Sequence, residues 1–188
     1  VAYIRLADFT RNAEDQLSET LEMMLAQNPQ GLILDLRDNP GGFLDQSIAV
    51  ADLFLDEGVV LYERSRTLGI DEVYSSRTGQ LAEEIPLVVL VNAGSASAAE
   101  IVAGAVQDRE RGVLIGETTF GKGSVQNLNT LSDGSELRVT IARWYTPDNV
   151  SIDQTGIIPD IEIETPADLG GEDDPQLERA LEVLSTGE

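Results

Sequence analysis

The chain has 188 residues, 41% of them hydrophobic, and 34 acidic against 12 basic residues give it a formal charge of −22. This size predicts one compact domain, and the negative charge argues against nucleic acid as a partner because phosphate backbones are repelled. The chain contains no cysteine and no histidine, which excludes disulfides, thiolate nucleophiles, imidazole metal sites and a Ser-His-Asp triad.

Hydrophobic periodicity predicts alternating strands and helices along the first half of the chain. Leu17, Leu21 and Met24 share one face of a helix that Asn12 is placed to cap. A second helix follows the turn cluster RDNPGG. The predicted strands are 1–6 and 31–36, and the second helix is 43–55. Residues 59–64 and 70–75 are expected to form a short excursion between that helix and the next strand.

The second half continues this alternation, with a buried strand at 86–91 and a helix that begins near Ser97. Leu137, Val139 and Ile141 alternate with polar neighbours, which indicates one arm of a β-hairpin. The further predicted elements are strands 113–117, 123–131, 136–144 and 159–164, a polar linker 165–175 and a closing helix 176–185.

The order of these elements predicts an α/β fold, in which ligands usually bind at the turns that follow the strands. We expect a single domain over 1–188 with a core at 1–164. No apolar run is long enough to cross a bilayer, so we expect no membrane insertion. The closing helix could pack on the core or on a second subunit, which would make the protein a homo-oligomer.

The stretch NAGSASAAEI, residues 92 to 101, supports two interpretations. Ser97 and Glu100 match a capping box, which satisfies orphan amides at a helix start. A serine hydroxyl at a helix amino terminus also lies where free amides favour an oxyanion. The nucleophile patterns G-x-S-x-G and S-x-x-K are absent around both serines.

The second loop, DLRDNPGG at 35–42, is equally ambiguous. It is typical of a tight turn, in which proline sets φ and glycines adopt positive φ. Two glycines would also let bare backbone amides approach a reacting carbonyl. Asp35 and Asp38 lack a third nearby metal ligand, and we expect Asp35 to pair with Arg37 at the strand end.

The third loop, TFGKGSVQ at 119–126, contains Lys122, the only lysine beside eleven arginines. It is either a solvated turn or the place of a general base, since arginine does not deprotonate in proteins. A free lysine with a pKa near 10.4 is neutral in only about one molecule in 2,500 at pH 7. We therefore expect a base at Lys122 to be buried in apolar surroundings, with Gln126 available to hold the neutral amine.

Four motifs in this order, LDLRDNPGG, NAGSASAAEI, GETTFGKGSVQ and GIIPDIEI, resemble the carboxyl-terminal processing proteases, also called tail-specific serine proteases. The resemblance covers nearly the whole chain and implies an α/β core of the ClpP and crotonase type. Members of this family usually carry a PDZ domain ahead of the core, and the 188 residues contain none.

The resemblance implies a Ser-Lys dyad. The second serine of the G-S-A-S-A stretch, Ser97, corresponds to the nucleophile and Ser95 does not. Lys122 corresponds to the general base, and Gln126 to the glutamine that supports it. No metal or organic cofactor is implied, and the partner is a polypeptide with a flexible carboxyl terminus.

The family's oxyanion hole implies the backbone amide of Ala98 together with that of Gly41 or Gly42, which the sequence does not distinguish. The family also implies a location outside the cytoplasm, in the periplasm or cell envelope, with the thylakoid lumen as the second choice. The lack of cysteine is compatible with either place.

Two other functions remain open at this point. The first is a catalytically latent peptide-binding or scaffold domain of the same fold, which the missing PDZ region favours and the intact Ser97, Lys122 and Gln126 oppose. The second is a crotonase-like acyl-thioester enzyme, which shares a backbone oxyanion hole but does not explain a sole lysine beside this serine.

Overall fold

The computed structural model describes residues 1–65, 67–171 and 173–187. Within these residues the chain forms a five-stranded parallel sheet in the order β1-β2-β5-β6-β9 and a four-stranded antiparallel sheet in the order β4-β3-β8-β7. The strands are β1 (Ala2–Arg5), β2 (Leu32–Asp35), β3 (Gly58–Ser65), β4 (Ile70–Ser76), β5 (Leu87–Val91), β6 (Val113–Gly116), β7 (Ser124–Thr130), β8 (Glu136–Tyr145) and β9 (Ile161–Glu162). The helices are α1 (Ala13–Leu25), α2 (Leu44–Asp52), α3 (Ala98–Asp108) and α4 (Pro175–Thr186).

The parallel sheet is covered by helices on both faces, as its continuous apolar strands require. Helix α3 is buried from Ala98 to Val106 in the main core. Helix α4 covers the other face, where Ala180 and Val183 pack in a second core with Ile33, Val88, Leu90 and Ile115. The closing helix therefore packs on its own sheet, and the predicted α/β core with a β-hairpin and a carboxyl-terminal helix is confirmed.

Some element boundaries differ from the prediction. Strand β9 has two residues, whereas the prediction is a strand at 159–164. Helix α2 ends at Asp52 rather than at residue 55, and the apolar residues 53–55 that follow it lie in a buried turn. Asn12 precedes α1, but its side chain makes no capping hydrogen bond. No helix in the described part of the chain is long and apolar enough to cross a membrane.

The β7–β8 hairpin extends into solvent, since residues 126 to 140 are all exposed. Among the residues that the structure describes, β7 pairs with β8 alone and so lies at the edge of its sheet. Its first residue, Ser124, follows Lys122 by two positions. The loop that carries the sole lysine is therefore the base of a projecting edge strand.

Candidate active site

The three ambiguous loops follow β2, β5 and β6, which are adjacent parallel strands. The carboxyl ends of parallel strands meet at one edge of a sheet, which brings the loops together. The contacts are direct: Phe120 donates its backbone N–H to the carbonyl of Ser95 at 3.0 Å, and Ala96 donates to the carbonyl of Asn39 at 2.9 Å. The site is therefore assembled from segments that are far apart in sequence.

Ser97 lies in a strained turn at the start of α3, with φ 57° and ψ −113°. Positive φ in a residue other than glycine persists only where the surroundings enforce it, and such residues concentrate at functional sites. The capping box predicted from the sequence is formed, and Glu100 Oε2 accepts the backbone N–H of Ser97 at 2.8 Å. Ser97 is 6% exposed, so its side chain lies just beneath the surface.

Ser95, the other serine of the stretch, is completely buried and has a structural role. Its hydroxyl donates to the carbonyl of Leu36 at 2.7 Å and accepts the backbone N–H of Asn92 at 3.0 Å. These two bonds join the ends of β2 and β5. With both bonds made, its hydroxyl is committed to holding the turn.

The turn at 38–42 packs directly against residues 92–97, which carry Ser97 and are called the serine turn below. A Cβ atom on Gly41, which has φ +96°, would lie 2.7 Å from Ser97 Cβ and 2.9 Å from the amide nitrogen of Ala98. Only glycine allows this approach. Asn39 Oδ1 accepts the N–H of Gly41 at 2.9 Å, whereas the amides of Gly42 and Ala98 have no acceptor among the described residues.

Asp35 does not have the surroundings of a metal ligand. Its carboxylate accepts two hydrogen bonds from the Arg37 guanidinium, at 2.9 and 2.7 Å, as expected for a charge pair at the end of the strand. The hydroxyl of Tyr3 also donates to it at 2.6 Å. Burial and this bond raise the pKa of Tyr3 to about 12.

Lys122 has its backbone, but not its side chain, fixed in the site. Its N–H donates to Glu100 Oε2 at 2.8 Å, while the side chain is exposed and makes no hydrogen bond to Ser97 within the described residues. The expectation that Lys122 is buried in apolar surroundings is therefore wrong for this structure. Gln126 lies on β7 and is also exposed. Lys122 lies in the loop just before β7 and Gln126 lies on β7 itself, so both are at the edge of the antiparallel sheet.

Glu100 makes more contacts in the site than its place in the capping box predicts. Its fully buried carboxylate accepts hydrogen bonds from the Ser97 and Lys122 amides through Oε2, and from the Gly121 amide and the Thr119 hydroxyl through Oε1. The capping box revealed only the bond to Ser97. One carboxylate thus joins the serine turn to the loop at 119–126, which carries Lys122 and is called the lysine loop below.

Residues 1–163 match the model of peptidase family S41, and the chain belongs to this family. It is 44% identical to a carboxyl-terminal-processing protease of Synechocystis sp. over 100% of this chain and 44% of the relative. It is 38% identical to a carboxy-terminal processing protease of Bacillus subtilis, over 88% of this chain and 35% of that protein. The chain spans less than half the length of these relatives.

Solved structures agree with the fold. The photosystem II D1 C-terminal processing protease superimposes with a TM-score of 0.81 at 40% identity, over 90% of this chain and 44% of that one. The tricorn protease superimposes with a TM-score of 0.62 at 22% identity, over 97% of this chain and 17% of that one, which supports the fold alone. The resemblance inferred from the four motifs is thus confirmed at the level of the family.

Proposed function

We propose that this chain is the catalytic core of a serine endopeptidase that cleaves extended, unfolded carboxyl-terminal tails of proteins. Ser97 is the nucleophile, Lys122 the general base and Gln126 the residue that supports the neutral amine. The observation that carries the proposal is the shared carboxylate of Glu100, which holds the amides of Ser97 and Lys122 on one oxygen atom. It connects a strained serine to the loop of the only lysine.

The oxyanion hole that we propose combines the amides of Ala98 and Gly42. Both amides lack acceptors in the described part of the chain, and Gly42 is exposed. The N–H of Gly41 is already used by Asn39, so Gly41 contributes close packing against Ser97 rather than a donor. Two donors directed at a developing alkoxide stabilise the tetrahedral intermediate.

The proposed reaction is acyl transfer through a covalent intermediate. Neutral Lys122 accepts the Ser97 proton as Oγ attacks the peptide carbonyl, and the resulting ammonium then protonates the departing amine. Water repeats the sequence on the acyl-enzyme and regenerates the serine. The scheme uses only side chains and backbone amides of this chain.

Because Lys122 is exposed, we infer that the bound substrate must also cover the lysine amine. The outer edge of β7 carries backbone groups that an extended peptide can pair with, and β7 begins two residues after Lys122. A tail bound along this edge and across the oxyanion hole would exclude water from the amine and favour its neutral form. A folded helix cannot present its carbonyls in this way.

We extend the proposal to the setting of the protein. The 188 residues act as one catalytic domain, comprising the core at 1–164, the linker at 165–175 and the closing helix, and they work beside a PDZ domain of the longer protein. The site of action is outside the cytoplasm. Three of the relatives carry the description chloroplastic, which keeps the thylakoid lumen as the second location.

The test is cleavage of an unfolded protein with an apolar carboxyl terminus, analysed by mass spectrometry, from about pH 6 to about pH 10. The chain is compared with Ser97→Ala. Peptides that require Ser97, produced at a rate that rises with pH, support the proposal. Equal cleavage by both proteins would contradict it.

A second function is favoured by one observation. The side chain of Lys122 is exposed and makes no hydrogen bond to Ser97 in the described residues, which suits a latent core that binds a tail without cutting it. In the same experiment this function predicts that both proteins bind the tail, measured by fluorescence anisotropy of a labelled peptide, and that neither cleaves it.

A further inference from the structure

Arg37 is a completely buried cation whose side chain reaches two parts of the chain. Its guanidinium donates two hydrogen bonds to Asp35 at 2.9 and 2.7 Å, two to Asp174 at 3.0 and 2.8 Å and one to Gln176 at 3.0 Å. All four side chains are at most 1% exposed. Such a network fixes one geometry, because any displaced member leaves a buried charge unpaired.

The network attaches the closing helix to the sheet. Asp174 caps α4 by accepting the N–H of Leu177 at 3.0 Å, and it also accepts the N–H of Gly170 at 2.7 Å. Both Asp174 and Gln176 lie beyond residue 163, where the family match ends. This carboxyl-terminal segment is therefore hydrogen-bonded to Arg37, the residue that leads into the turn at 38–42.

The opposite charges of Arg37 and Asp174 stabilise the geometry of this network. Burial alone would lower the pKa of Arg37, but hydrogen bonds and charges of Asp35 and Asp174 outweigh it and raise the pKa. Burial alone would raise the pKa of Asp174, but the amides of Gly170 and Leu177 together with Arg37 lower it. Both groups are therefore charged at neutral pH and hold each other in place.

The turn at 38–42 requires anchors at both ends because its backbone is strained. Asp38 has φ 57°, a value that residues other than glycine rarely adopt. At the far end, Phe9 donates to the carbonyl of Gly41 and accepts from the amide of Phe43, both at 2.9 Å. At the near end, the chain leaves the sheet at Arg37. A strained turn keeps its shape only when its surroundings enforce it.

We propose that Asp174 is a positioning residue for the oxyanion hole, which acts through Arg37 to hold the turn at 38–42 against Ser97. This inference rests on the proposed function, since Gly42 is there the second oxyanion donor. It assigns a catalytic consequence to α4, a helix that contributes no residue to the site. Misplacing a catalytic group by about 1 Å costs up to about 100-fold in rate.

The main test variant is Asp174→Asn. Asparagine caps helices as well as aspartate does, so the start of α4 is kept while the charge that Arg37 requires is lost. We expect kcat to fall by about 10- to 100-fold with KM changed by less than about twofold, because the turn stabilises the transition state rather than the bound substrate.

The matched control is Val183→Ala, which loosens the same helix in the second core without touching the ion network. It should lower the melting temperature while kcat stays within about twofold of wild type. An equal loss of kcat in both variants, at temperatures where both are folded, would show that the helix acts only by general stabilisation and would overturn the proposal.

A readout independent of catalysis is amide hydrogen exchange at Gly41, measured by NMR, because this N–H is held by Asn39 inside the turn. Asp174→Asn should accelerate its exchange by about tenfold or more relative to Val183→Ala. Unchanged exchange and unchanged kcat in Asp174→Asn would refute the proposal. If the wild-type chain shows no cleavage that depends on Ser97, the proposed function fails, and the exchange result alone decides the positioning role.

If Asp174→Asn does not fold, Gln176→Met replaces it. This variant removes one acceptor of the Arg37 guanidinium and leaves both ion pairs in place. It should change kcat and Gly41 exchange in the same direction by a smaller factor. Wild-type values in both measurements, with α4 intact by circular dichroism, would count against the proposal.

Discussion

The buried carboxylate of Glu100 is the contact on which the proposed site depends most, and Glu100→Gln tests it with the smallest change in shape. The carboxylate accepts hydrogen bonds from Ser97, Thr119, Gly121 and Lys122. Glutamine keeps one acceptor oxygen, so two of these four donors face an amide NH₂ group instead. In either orientation of the amide, the lysine loop loses at least one backbone hydrogen bond.

The magnitude follows from these contacts. Two lost bonds to a charged acceptor, at about 1.5 kcal/mol each, lower the free energy of unfolding by about 3 kcal/mol. For a domain of this size the melting temperature should fall by about 6 to 12 °C. A shift of about 1 Å between the serine turn and the lysine loop would lower kcat/KM by about 10- to 100-fold.

Electrostatics alone predicts the opposite result for catalysis. Removing a negative charge near Lys122 favours the neutral amine and would raise the rate at neutral pH. Peptide hydrolysis and thermal unfolding should be measured on the same preparations. A kcat/KM at or above the wild-type value would refute the conclusion that Glu100 holds the two loops together.

Asp52→Asn is the matched control, since this buried carboxylate binds the backbone and guanidinium of Arg77 at 2.6 and 2.8 Å, away from the site. It should lose stability and keep kcat/KM. A comparable loss of kcat/KM in Asp52→Asn would show that any buried carboxylate has this effect, and Glu100 would lose its particular role.

Three further predictions follow from the same contacts. Lys122→Arg should abolish hydrolysis and keep the fold by circular dichroism, because the charge remains and the base is lost; near-normal hydrolysis would exclude the dyad. Ser95→Ala should lower the free energy of unfolding by about 1 to 3 kcal/mol, because the buried backbone groups of Leu36 and Asn92 lose their hydrogen-bond partner. It should keep far more activity than Ser97→Ala, and the reverse ranking of activities would show that Ser97 is not the nucleophile. Asp174 should stabilise the fold above the unfolded carboxyl pKa of about 3.9 and lose this contribution as the pH falls through its lowered folded pKa. Urea unfolding between about pH 5 and about pH 3 should therefore show a shallower acid dependence in Asp174→Asn than in wild type, and equal slopes would contradict this.

Most of the strands and helices could be predicted because those elements carry their own apolar pattern, whereas β3 and β4 were expected only as a short excursion. The hairpin was visible in the alternation along β8, and the serine turn in its capping box. Boundaries were less accessible, as α2 shows: apolar residues continue past Asp52 in a turn that is buried as deeply as the helix. Burial, rather than helical geometry, produced that part of the pattern.

The chemistry available to this protein was determined by the sequence. A chain without histidine or cysteine and with one lysine has few means of activating a serine, and the order of four motifs is enough to recognise the family. These properties depend on which residues are present and how they are spaced, so no coordinates are needed to find them.

Only the tertiary structure decided how these groups are used. It distinguished the occupied amide of Gly41 from that of Gly42, left the side chain of Lys122 exposed and joined Arg37 to Asp174 across 137 residues. The physical reason is the same in each case. Whether a donor is satisfied or a charge is covered depends on atoms that distant segments bring to it, and local sequence patterns carry no record of those partners.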